Sequence, residues 1–151
     1  MLKQVHKLAS DQYGCRIIQK AIVWLPIEQK LEIISQFEPA KLMSMMFSEE
    51  GNYILQCIVL NLPTEHIAFM LPLIESKLLE LCKDRRGCRV IQRVLEKFPR
   101  HELAPIIDKI IKAANELTPQ QYGNYVIVHI LQKGLESEKV KILDSIMDNI
   151  V

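Results

Sequence analysis

Glycine and proline are sparse in this 151-residue chain, with 5 and 7 residues, and no stretch alternates strictly between apolar and polar side chains. Half-buried strands need that alternation, so an all-α fold is expected. An excess of charge is also lacking: 19 basic against 18 acidic residues leave a formal net charge of +1. Bulk electrostatics therefore brings no anionic partner, and only the placement of charges can. The four cysteines, Cys15, Cys57, Cys82 and Cys88, form no CxxC pair and have no histidine at metal-ligand spacing, which argues against zinc or any other metal site. Free thiols in a reduced intracellular chain are expected, since no signal peptide and no bilayer-length apolar run is present. Nucleophile elbow, P-loop and HExxH motifs are missing, and the carboxylates read as ordinary helix-surface charge. An enzyme is not expected, nor a cofactor.

Apolar residues, by contrast, make up 49% of the chain, and Leu, Ile, Glu and Lys recur at helical spacing. That suffices for one domain with a core. One peptide also recurs: GCRIIQ from residue 14, GNYILQ from 51, GCRVIQ from 87 and GNYVIV from 123. Its anchors Cys15, Asn52, Cys88 and Asn124 are 37, 36 and 36 residues apart. Eleven residues after the first three stand Pro26, Pro63 and Pro99, where proline stops one helix and starts the next segment. The fourth unit has Gly134 and Leu135 instead. Ten residues before the anchors stand Val5, Leu42, Leu78 and Ala114, and seven before stand Leu8, Met45, Leu81 and Leu117. Each unit reads as a helix, a short turn and a second helix carrying the hexapeptide. A Pro-marked connection and a further helical segment follow.

Such a period is one layer of an α-solenoid. Residues 1–151 form a single repeat domain on this reading, with units near 1–25, 26–62, 63–98 and 99–134. Residues 135–151 begin a further unit or cap the array. Pro72 and Pro105 fall within apolar helical segments and predict a kink or break.

With the hexapeptide opening a helix, residues four apart differ by roughly 40° around the axis, so Cys88 and Gln92 share a direction. Val90, Ile91, Val94 and Leu95, with Ile54, Leu55, Ile58 and Val59 in the second unit, form the core face. Anchor, neighbour and glutamine are then expected to face outward, once per layer, roughly 10 Å apart. The sets are Cys15–Arg16–Gln19, Asn52–Tyr53–Gln56, Cys88–Arg89–Gln92 and Asn124–Tyr125–Val128. Their middle members, Arg or Tyr, are planar side chains that stack on nucleobases. The outer members are amides, which offer a donor and an acceptor to a base edge, or a small thiol that leaves room for a purine.

These sets and their period resemble the Pumilio (PUF) RNA-binding repeats over essentially the whole chain. The resemblance implies a right-handed superhelix of stacked repeats that binds single-stranded RNA, one base per repeat. In that family Asn–Tyr–x–x–Gln reads uracil and Cys–Arg–x–x–Gln reads adenine, with the RNA running antiparallel. The implied target is 5′-N-A-U-A-3′, N facing the fourth set, where Val128 replaces the family's glutamine. Family members usually carry eight repeats, and these sets look most like the middle four. No unit carries the guanine-reading Ser–x–x–x–Glu set, which leaves a UGU element without a reader. The implied role is control of mRNA translation or decay in the cytoplasm, through 3′ untranslated regions and recruited regulatory proteins. Uncapped repeat ends would favour self-association.

The glycines before the anchors (Gly14, Gly51, Gly87, Gly123) are expected to permit close packing or a tight turn. Cys57 and Cys82 are expected in the core, and His6, His66, His101 and His129, which share no register, are taken as structural. Lys20, Arg85, Arg86 and Arg93 are candidates for phosphate contact. Two other readings compete. An armadillo- or HEAT-like solenoid gripping a peptide explains the period but not the alternating sets. A sequence-independent RNA binder acting in ribosome biogenesis predicts degraded sets, whereas three of the four are intact.

Overall fold

The computed structural model describes residues 4–149. Among the described residues there are thirteen helices and no strand, and the chain divides into two compact units between Ile74 and Glu75. The first unit contains α1 (Val5–Ala9), α2 (Gly14–Trp24), α3 (Ile27–Ser35), α4 (Pro39–Met46), α5 (Glu49–Asn61) and α6 (Thr64–Ile67). The division falls within α7 (Met70–Ser76). The second unit contains α8 (Leu78–Lys83), α9 (Gly87–Lys97), α10 (Arg100–Lys112), α11 (Ala114–Leu117), α12 (Gly123–Lys133) and α13 (Glu136–Met147). Every hexapeptide lies in the second helix of a pair: α1/α2, α4/α5, α8/α9 and α11/α12. In the first unit α2 packs along α5; in the second, α9 packs on α12 and α12 on α13.

Proline sets the helix entries as the spacing predicts. Pro26, Pro63 and Pro99 are the N-caps of α3, α6 and α10, each in extended backbone. The residue before each, Leu25, Leu62 or Phe98, is also extended, because a following proline disfavours helical ψ. Leu135 takes the same role before α13 without a ring. Unlike proline it has an N–H to satisfy, which donates to Glu138 Oε1 at 2.8 Å.

The α-helical run is interrupted by a turn at Ala68–Phe69, just upstream of Pro72, as expected, with Ala68 itself keeping helical φ and ψ. At Pro105, where a kink or break is expected, the helix does not break: α10 runs through it. Interior proline costs about 3 kcal/mol. Burial of Leu103, Ile106, Ile107 and Ile110 on the same helix outweighs that, at about 1.5–3 kcal/mol for each side chain.

The core face follows the helical wheel. Ile54, Leu55, Ile58, Val59, Val90, Ile91 and Val94 are fully buried, and Leu95 nearly so. The hexapeptide glycines are needed for close approach. A Cβ on Gly14 would stand 2.6 Å from the Leu8 carbonyl oxygen, and one on Gly87 2.7 Å from that of Leu81. Only a bare backbone lets the first helix of each pair close onto the second.

Candidate nucleic-acid interface

An acidic side chain three residues before the glycine fixes where two of the hexapeptide helices begin. Asp11 Oδ2 accepts from the N–H groups of Tyr13 (2.9 Å) and Gly14 (2.6 Å). Asp84 Oδ1 accepts from those of Arg86 and Gly87, both at 2.8 Å. In α5 the cap is Ser48, whose Oγ accepts from Gly51 at 2.9 Å, so this helix starts at Glu49, ahead of its hexapeptide. Each cap satisfies amide groups that a helix start leaves unpaired.

The anchor residues sit deeper than the outward placement expected, although Cys15 and Cys88 still line clefts. Cys15, Asn52 and Cys88 are buried, at 5%, 2% and 2% exposure, and Asn124 is half-buried. At the start of a helix a short polar side chain folds back onto carbonyls three or four residues earlier. The Cys15 thiol donates to the Gln12 carbonyl at 3.3 Å and the Cys88 thiol to that of Arg85 at 3.4 Å. The Asn52 amide donates to Ser48 and Glu49 (2.8 and 2.7 Å), and the Asn124 amide to Gln120 and Gln121, both at 2.8 Å. Asn52 Oδ1 in turn accepts from Gln56 Nε2 at 3.0 Å. The asparagine is thus committed to its own turn and orients the glutamine. Gln56 keeps its carbonyl and one N–H for a ligand.

The other members stand further out. Gln19, Gln56 and Gln92 are half-buried, whereas Arg16, Arg89, Tyr53, Tyr125 and Val128 are exposed. Two clefts result, one in each unit. The first, about 600 Å³, is lined by Gln12, Cys15, Arg16, Gln19, Glu49, Glu50 and Tyr53. The second, about 350 Å³, is lined by Arg85, Cys88, Arg89, Gln92, Tyr122 and Tyr125. Each brings a Cys–Arg–Gln set of one repeat together with the tyrosine of the next. Asn52, Gln56, Asn124 and Val128 line neither cleft.

Burial pushes all four thiols up, that of Cys82 to about 12. At neutral pH they are small, uncharged groups without the thiolate character of a nucleophile or metal ligand. Cys82 lies in the core as expected, but Cys57 does not: it is half-buried beside Gln19, its sulfur 3.9 Å from Oε1. His129 is buried, and burial lowers its pKa against the opposing pull of Glu96. Of the candidate phosphate contacts, Arg93 is paired with Glu96 at 2.7 Å, Arg85 lines the second cleft and Lys20 is exposed. Among the described residues no three His, Cys, Asp or Glu side chains come together as a metal site would require, and no helix is long and apolar enough to cross a membrane.

Gln12, Glu49, Glu50 and Tyr122 line the clefts without having been singled out from the sequence. Aligning the repeats one step upstream of the glycine would have exposed the Tyr13, Glu50, Arg86, Tyr122 series.

The profile of the Pumilio-family RNA binding repeat matches residues 4–36, 77–111 and 115–147, most of the chain. Residues 37–76, which carry Asn52, Tyr53 and Gln56, lie between the matched segments. No curated protein matches the chain. Among solved structures, PUF-8 in complex with PBE-RNA matches 99% of this chain with a TM-score of 0.91 and 28% identity. The Puf3 RNA binding domain bound to a Cox17 RNA 3′ UTR recognition sequence matches 98% with a TM-score of 0.86 and 29% identity. Yeast Puf5p bound to MFA2 RNA, at 23% identity, matches 99% with a TM-score of 0.81 and speaks for the fold alone. The chain spans less than half of each of these, 44%, 42% and 44% of their lengths.

Proposed function

The chain belongs to the family of Pumilio RNA-binding repeat proteins, and from that premise we propose that it binds single-stranded RNA and selects its bases. The observation that carries this reading is the pair of clefts. Each sets an exposed arginine against an exposed tyrosine, with a half-buried glutamine between helix and solvent. Two planar side chains can sandwich a base, at about 1–3 kcal/mol per stacked base, while the amide reads its edge. The neighbours PUF-8 and Puf3 are bound to RNA, Puf3 to a 3′ UTR sequence, which supports the same class of ligand here.

The target that the reader sets support is 5′-N-A-U-A-3′. Cys15 and Cys88, small and uncharged, leave purine-sized room beside Gln19 and Gln92. Gln56, oriented by Asn52, reads the uracil. Four bases give weak binding unless further contacts extend the site. The cellular role that fits is control of mRNA translation or decay in the cytoplasm through 3′ untranslated regions, with regulatory proteins as further partners. Exposed Ile17 and Trp24 in the first unit, and Leu143 and Met147 in the second, support self-association as well. Sedimentation at rising concentration tests that part.

The central experiment compares the affinities of short RNAs carrying AUA, AGA and ACA at one fixed salt concentration. AUA is expected to bind about tenfold more tightly than either, the discrimination of one good edge contact. Equal affinities would turn the reading to a peptide-gripping solenoid.

A further inference from the structure

The two clefts have the same Cys–Arg–Gln–Tyr lining but differ in charge around it: Gln12, Glu49 and Glu50 line the first, Arg85 and Tyr122 the second. Just before the glycine of the facing wall stands Glu50 in the first cleft and Tyr122 in the second, and each lines its cleft. Glu50 is half-buried, and its carboxylate has no ion pair or hydrogen bond among the described residues. The adjacent Glu49 has a partner of its own. The Glu50 charge acts on the base-facing wall: after burial, it is the largest influence raising the Cys15 thiol. An acidic first turn favours the start of α5, but that calls only for a charge near the axis. It does not call for a carboxylate lining the same cleft as Arg16 and Tyr53 without a hydrogen bond or ion pair among the described residues.

We propose that Glu50 is a specificity-determining residue of the first cleft, accepting a hydrogen bond from the exocyclic amine of the base held between Arg16 and Tyr53. The inference rests on the RNA-binding reading above. A carboxylate can only accept, so it favours the amine of adenine or cytosine and opposes the carbonyl that guanine or uracil presents there. The Tyr122 hydroxyl both donates and accepts and imposes no such rule on the second cleft. The first cleft therefore has two independent grounds for choosing adenine, Gln19 and Glu50, and the second has one.

The test uses the full chain, wild type and Glu50→Gln, with 5′-NAUA-3′ RNAs in fluorescence anisotropy. Purine riboside, which lacks only the exocyclic amine, replaces either the 3′ adenosine facing Cys15 or the adenosine facing Cys88. In the wild type, loss of the amine at the 3′ position is expected to weaken binding about tenfold, as for a hydrogen bond to a charged acceptor. In Glu50→Gln the same change is expected to cost about threefold, the share of a neutral contact such as that of Gln19, while the cost at the other adenosine stays the same in both proteins. An equal penalty at the 3′ position in both proteins overturns the assignment. So does a uniform gain of affinity for every RNA in Glu50→Gln, which would mark plain repulsion of phosphate. A wild type that binds none of these RNAs overturns the RNA-binding reading itself, and the inference with it.

Discussion

Replacing Val128 by glutamine isolates what an oriented amide contributes to base choice. In α5, Asn52 commits both amide hydrogens to backbone carbonyls and receives Gln56 Nε2 on its oxygen at 3.0 Å. In α12, Asn124 makes the same two backbone bonds at 2.8 Å, but Val128 has no donor to offer its oxygen. Val128→Gln rebuilds the missing partner on a scaffold already in place. Val128 is 42% exposed, so little buried apolar area is lost, and glutamine is the better helix former by a few tenths of a kcal/mol. Unfolding free energy should stay within about 0.5 kcal/mol of wild type. A good paired edge contact gives about 1–3 kcal/mol of discrimination, from which ordering the longer side chain subtracts about 1 kcal/mol. The middle of that range leaves about 1 kcal/mol, which corresponds to about a fivefold preference for uracil at the 5′ position of NAUA, where the wild type is expected to discriminate less than about threefold. Anisotropy with the four 5′ variants at fixed salt measures it. A variant that melts like wild type and still shows no preference for uracil refutes the idea that asparagine orients a glutamine reader.

Three further predictions follow from the same geometry. Asn52→Cys with Tyr53→Arg converts the second set to the Cys–Arg–Gln pattern and frees Gln56 from Asn52, so the preferred middle base should shift from uracil toward adenine by about tenfold; an unchanged preference in binding assays refutes the assignment. Gly87→Ala should lower stability by about 1–3 kcal/mol in urea unfolding, because its Cβ would meet the Leu81 carbonyl oxygen at 2.7 Å. A gain of about 1 kcal/mol, the usual result for helical Gly→Ala, would show that the helices do not meet there. The Cys82 thiol, pushed by burial from 9.0 to about 12, favours its protonated form in the folded chain. Its contribution is therefore complete below about pH 9 and is lost as pH rises toward 12, at up to about 1.4 kcal/mol per pH unit. The stability difference between wild type and Cys82→Ala should shrink between pH 9 and 10.5, and a constant difference contradicts the burial.

The repeat pairing, the core face and the proline-marked entries were legible because each is a backbone property written at fixed spacing. Proline fixes φ and restrains its predecessor whatever surrounds it, so Pro26, Pro63 and Pro99 could be placed without knowing the tertiary contacts. Side-chain depth is a different matter. A helical wheel gives the direction of a residue but not what stands opposite. Ile17 occupies the register of the fully buried Ile54 and is nevertheless 62% exposed. Pro105, inside α10, shows the converse: a local penalty is visible in the sequence, but the four buried apolar residues that outweigh it count only once the helices are packed. The anchors lay beyond the wheel for a third reason. Gln19, Gln56 and Gln92 lie one turn beyond the anchors and are longer. Cys15, Asn52 and Cys88 lie beside carbonyls of the preceding turn, and the shortest hydrogen bond open to them leads back into the protein. The same four-residue spacing that gives anchor and glutamine one direction therefore gives them different depths. The longer side chain stands further out, and the shorter one, bonded back into its own turn, sets how the longer one is held where the two are linked, as Asn52 holds Gln56.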